Sequence, residues 1–131
     1  MTNGTARALP LNAASTWLAA LAAIAFLALG VRALVAPAAA AASFGVPVDR
    51  GDGLAFVQAF GARNVGLSLV ALASIALDLR LGLAALFFAA AVIAGVDFSI
   101  VATHEGVSNA AKHVGYVVAL AAFGGWFVRR P

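Results

Sequence analysis

The sequence predicts an all-α protein: a four-helix transmembrane bundle with a short interfacial helix between spans one and two. Three observations lead there. Of the 131 residues, 64% are hydrophobic and only 10% charged, with a mean hydropathy of +1.04, which leaves no polar outer faces for a soluble bundle. Four apolar segments each reach the roughly 20 residues that a helix needs to cross a hydrocarbon core about 30 Å thick. Short polar or Gly-containing breaks separate them.

The spans run approximately over 15–36, 54–77, 81–103 and 109–128. Span one is the most uniformly apolar. With Arg7 before it and a run of small residues after it, it also fits a cleavable signal peptide, whose apolar core is usually about 7 to 15 residues. The apolar run from Trp17 to Val31 reaches or exceeds that limit, which favours a retained span. Between spans one and two, Pro37 suits the first turn of a helix, the alanines at 38–42 are strong helix formers, and Gly45-Val46-Pro47 stops them. A short interfacial or re-entrant helix is expected there, a disordered alanine tract being the alternative. The polar loop Asp49-Arg50-Gly51-Asp52-Gly53 follows. Only residues 78–80 join spans two and three, and 104–108, turning at Gly106, join three and four, so both pairs are expected to form antiparallel hairpins. The whole chain, 1–131, reads as a single integral membrane domain.

Basic residues near the span ends give an orientation. Arg7, Arg80, Arg129 and Arg130 lie on the side of both termini; Arg50 and Lys112 lie opposite, outweighed by Asp49, Asp52 and Glu105. The positive-inside rule then puts both termini in the cytoplasm, of a plasma (inner) membrane, with Trp17 and Trp126 as anchors at one bilayer face. The net charge of +3 has no basic run behind it, which excludes nucleic acid as a partner. With no cysteine, thiol chemistry and disulfides are excluded too. The histidines and carboxylates show no metal-ligand spacing, and neither a metal nor a cofactor is expected.

The polar residues inside the spans carry the functional reading, because an ionisable group at membrane depth is costly and points to function by default. Arg63 interrupts span two with Asn64 beside it; Asp97 lies in span three, His113 in span four and Arg32 near the end of span one. At 1.5 Å per residue, Arg32, Arg63, Asp97 and His113 all fall roughly 6 to 14 Å below the outer interface, in one half of the bilayer. Faces agree as well as depth. Asp97 and His104 share a face of span three, Asn109, His113 and Tyr116 follow i, i+4, i+7 on span four, and Asn64 pairs with Ser68 on span two. An intramembrane pocket is expected, with Arg63 paired to Asp97. There Asp97 and His113 could move a proton while Arg63 holds a substrate oxygen, as hypothetical catalytic residues. Asn64, His104, Tyr116 and Arg32 are candidate ligand contacts. A purely structural Arg63–Asp97 pair is the bland alternative, as is a His113 satisfied by hydrogen bonding alone. Lys112, a cation in the first turn of a helix, opposes the macrodipole and is expected to snorkel to headgroups. Gly61, Gly66, Gly115 and Gly124 read as small residues that let helices approach. The match between Gly30-Val31-Arg32 and Gly61-Ala62-Arg63 reads as chance in so Gly- and Ala-rich a chain.

Pro37, Ser43-Phe44-Gly45-Val46-Pro47, Gly61-Ala62-Arg63-Asn64 with Gly66, the span-three carboxylate and the span-four histidine together give a resemblance. The chain resembles a bacterial and fungal family of small four-span membrane proteins, domain-of-unknown-function family 4267, over about 15–128. More loosely it resembles the DoxX-like four-span proteins. Neither resemblance implies an activity. The residues themselves point to a multi-pass membrane protein that binds or transforms a small lipophilic molecule, whether or not it is an enzyme. A structural or accessory subunit and an oligomeric transporter are the alternatives. Beyond the lipid bilayer, the expected partners are that ligand and a second copy of the chain.

Overall fold

Alanine and leucine dominate the apolar stretches, and both favour helix strongly. In a computed structural model describing residues 9, 13–48 and 51–129, those residues form five helices and no strand. In order, α1 spans Ala14–Val35, α2 Pro37–Phe44, α3 Asp52–Ala76, α4 Arg80–Glu105 and α5 Val107–Arg129. The four long helices are each long and apolar enough to cross a membrane. Their bounds lie within a few residues of those the hydropathy pattern gives. Four charges of the orientation argument, Arg7, Asp49, Arg50 and Arg130, lie outside the described residues.

The helix ends follow local chemistry. Pro37 opens α2, and Gly45, in the left-handed region at φ 118°, closes it with its N–H on the Ala41 carbonyl. At the end of α3, Leu79 N–H returns to Ser74 O and Asp78 N–H to Ile75 O, the paired bonds of a Schellman motif. Its left-handed position is held by Asp78 at φ 60°, one of the few residue types besides glycine that tolerate it. The Asp78 carboxylate also accepts the Leu9 N–H, tying Leu9 to this turn. Gly106, at φ 90° and ψ 157°, makes the turn from α4 to α5 in a region closed to other residues.

Packing inverts the soluble pattern. Ala19, Ala33, Ala84 and Ala110 are fully or almost fully buried, while Trp17, Val35, Phe56 and Val92 point outward. Lipid tails are as apolar as these side chains, so close backbone approach rather than hydrophobic exclusion holds the helices together. The strongest associations are α1 with α3 and α4 with α5; α2 touches both α1 and α3. Helices α3 and α4 touch only lightly despite their short connection, which departs from the close hairpin expected between spans two and three. A short loop fixes how near two helix ends lie but not what each helix packs on afterwards, and both are already taken. Arg80, expected at the interface, is instead buried at the start of α4, its Nε and Nη1 unpartnered among the described residues.

Candidate functional site

The two helix pairs close tightly near the chain termini, where Leu83, Phe87 and Phe127 join the alanine core. Toward α2 they part around a cavity of about 510 Å³, to which all five helices contribute. Its deeper wall is apolar, from Phe26 and Leu29 of α1, Leu67 of α3, Leu86 and Phe87 of α4 and Leu120 of α5. Apart from Ser68 of α3, its polar groups gather at the α2 end: Arg32, Ser43, Asn64, Asp97, Lys112, His113 and Tyr116. This gradient follows from helix register, since the polar positions fall late in α1 and α4, early in α5 and midway along α3.

Of the residues singled out in the sequence, Arg32, Asn64, Asp97, His113 and Tyr116 line this cavity. Arg63 and His104 do not. Arg63 is exposed on the outward side of α3 and makes no ion pair with Asp97. The reason lies two residues earlier: Gly61 is pressed against α1, and at about 100° per residue Arg63 is turned roughly 200° from that contact, whereas Asn64 swings back toward the cavity. His104 sits exposed near the end of α4, its ring Nδ1 3.2 Å from the Ile100 carbonyl and 3.2 Å from Thr103 Oγ1. Asn109, on the stripe of His113, is turned back to the Glu105 carbonyl at 2.9 Å.

Like Ser68, His113 is almost fully enclosed, 3% exposed. Phe44 meets its ring edge-on at 5.2 Å between centroids and Tyr116 at 5.8 Å. Its Nδ1 lies 3.3 Å from the Ala110 carbonyl; a carbonyl can only accept, so that nitrogen is the donor, which leaves Nε2 as the acceptor whenever the ring is neutral. Ser68 is satisfied within α3 by the Asn64 carbonyl at 2.8 Å.

The two cations of the cavity are tied to α2. Lys112 Nζ donates to the Ser43 carbonyl and Arg32 Nη2 to Ala39 O at 3.3 Å. Lys112 therefore braces α2 across the cavity mouth instead of extending to headgroups. Ser43 and Phe44 of α2 and Phe60 of α3 are cavity residues that pattern reading passed over. Ser43 and Phe44 were visible only as part of the resemblance motif and of the short helix, whose placement decides that they face inward; Phe60 carried no signal. No group of histidine and carboxylate side chains among the described residues could hold a metal ion.

A family model described as domain of unknown function (DUF4267) matches residues 23–127. The chain belongs to this family. The matched segment takes in every polar residue of the cavity, with α2, most of α1 and nearly all of α5. DUF4267 carries no activity with it, so the chemistry must be argued from the cavity. No curated protein and no solved structure matches the chain.

Proposed function

We propose that this DUF4267 protein binds a small lipophilic molecule carrying an oxygen function, its apolar part between the helix pairs and its polar end beneath α2. One observation carries the reading: the cavity is apolar along its depth except for Ser68, whose hydroxyl is satisfied within α3, and its other polar groups stand at the α2 end. A volume of about 510 Å³ lies in the usual range for small-molecule sites, roughly 300 to 1,000 Å³. At the polar end, Tyr116 and the cations Arg32 and Lys112 offer donors, and His113 Nε2 and Asp97 offer acceptors, so the fitting ligand has an oxygen that both accepts and donates. The packed core of Leu83, Phe87 and Phe127 below the cavity favours binding over passage through one copy.

Lipid extracts of protein purified from native membranes, read by mass spectrometry, test this. A molecule recovered with the parent should be lost from Ala90→Phe, which fills the apolar wall, and weakened in Asp97→Asn. Equal recovery from all three would remove the reading. A sharper form, in which Asp97 and His113 exchange a proton with the bound oxygen group, is favoured by their lining one cavity with the imidazole enclosed. It predicts that His113→Gln keeps the molecule bound yet changes which chemical form of it accumulates.

A further inference from the structure

Arg63 is a guanidinium that cannot be deprotonated, on the outward face of a transmembrane helix, with no ion pair or hydrogen bond among the described residues. Eleven residues separate it from the start of α3 at Asp52, which places it about 16 Å deep by helical rise, near the middle of the helix. That is deeper than its own side chain can span to reach headgroups. Hydrocarbon offers it nothing, so the outward face of α3 needs a protein partner.

A complementary face exists on the same molecule. Asp97 lies eight residues before the end of α4 at Glu105, about 12 Å deep on the same side. Among the described residues it accepts no hydrogen bond, and its flanking helix positions, Ile93 and Ile100, are 40% and 42% exposed. It therefore stands at the rim of the cavity, on a ridge of two branched side chains. Opposite in character, the α3 face around Arg63 is a furrow of small residues, Ala59, Ala62 and Gly66, all exposed; a Cβ at Gly66 would meet nothing within 4 Å.

We propose that the outward face of α3 docks on the α4 rim of a second copy of the chain, so that Arg63 of one copy pairs with Asp97 of the next at the mouth of its cavity. Charge, depth and shape agree. The Ile93–Ile100 ridge fits the Ala59–Gly66 furrow, and the two charges lie within about 4 Å of each other in depth, a gap an arginine side chain spans, in two helices that run in opposite directions, as neighbouring copies in one membrane require. Because two different faces meet, the contact is heterologous and repeats from copy to copy, closing a ring where its rotation allows. Each cavity gains a cation that its own chain turns away. The contact stands whether or not the cavity holds a ligand, so it is tested without one.

The chain has no cysteine, so introduced ones report alone. Two differently tagged copies, one with Ala59→Cys in the furrow and the other with Ile100→Cys on the ridge, which leave Arg63 and Asp97 in place, are co-expressed and oxidised in native membranes. A mixed-tag disulfide dimer is expected, with neither variant cross-linking to itself. A chain carrying both substitutions that closes only an internal disulfide would overturn the proposal. So would the lack of any cross-link between variants that melt like the parent. Native mass spectrometry of the unsubstituted protein gives a second measurement: oligomers are expected, weakened about tenfold or more by Arg63→Leu, and a strictly monomeric parent refutes the contact.

Discussion

The two helix pairs of this molecule solve one problem in different ways. In α1 and α3 the backbones themselves meet: a Cβ on Gly30 would lie 2.8 Å from the Gly61 carbonyl oxygen, and one on Gly61 2.7 Å from that of Gly30. The crossing is reinforced by Gln58, whose side-chain amide donates to the Leu34 carbonyl at 3.1 Å. In α4 and α5 the contact is made by rings. Phe87 stacks on Phe123 at 5.3 Å and on Phe127 at 6.0 Å, and Gly124 lies flat against the ring of Phe88. Removing side chains makes one pair; adding large flat ones makes the other. The glycine pair has no slack, whereas the ring pair tapers toward α2, where the aromatic stack ends and the cavity begins.

Substitutions should separate the two pairs by size. Gly61→Leu is expected to have the largest effect, preventing α1 and α3 from closing. Even Gly61→Ala should cost about 1 to 3 kcal/mol as an overpacked contact, read as a fall in melting temperature in detergent. A Gly61→Ala protein that melts like the parent would remove the backbone crossing. Phe87→Ala should come next, losing two ring stacks worth about 0.5 to 1.5 kcal/mol each, and it should also enlarge the cavity. Gln58→Leu is a gentler probe of the glycine pair: polar contacts between membrane helices average about 0.6 kcal/mol, so only a small shift is expected. Gly66→Ala should fall within about 0.5 kcal/mol of the parent as a surface change. A large loss there in monodisperse monomer would show that not only contacted glycines matter.

The difference between the pairs also marks how far the sequence could be read. The long helices were legible because hydropathy and the breaks at Gly45, Asp78 and Gly106 are properties of the chain alone, and α2 was legible from Pro37 and its alanines. Which faces meet was not, because helices this uniformly apolar have almost no polar stripe to fix their rotation. The shared Gly-x-Arg pattern at Gly30 and Gly61, which reads as chance, coincides with the α1–α3 crossing. Gly61 and Gly124 do sit at close approaches, whereas Gly66 and Gly115 have open space beside them. Arg63 shows the same limit at the candidate site. Its depth follows from counting residues, but its direction follows from Gly61, and only the crossing reveals that. Lys112 was misjudged for a related reason: its partner is a carbonyl of α2, far away in sequence.

The alanine interior sets the direction in which this protein can change. Ala19 and Ala110 have no accessible surface, and nothing but glycine is smaller, so nearly every coding change at such a site inserts atoms where none fit. A leucine-filled core drifts by opening holes and tolerates many of them. Here drift is one-sided, and variation should be scarce along the inward stripes and abundant at outward positions such as Val92 and Val118, where bulk is met by fluid chains that simply move aside.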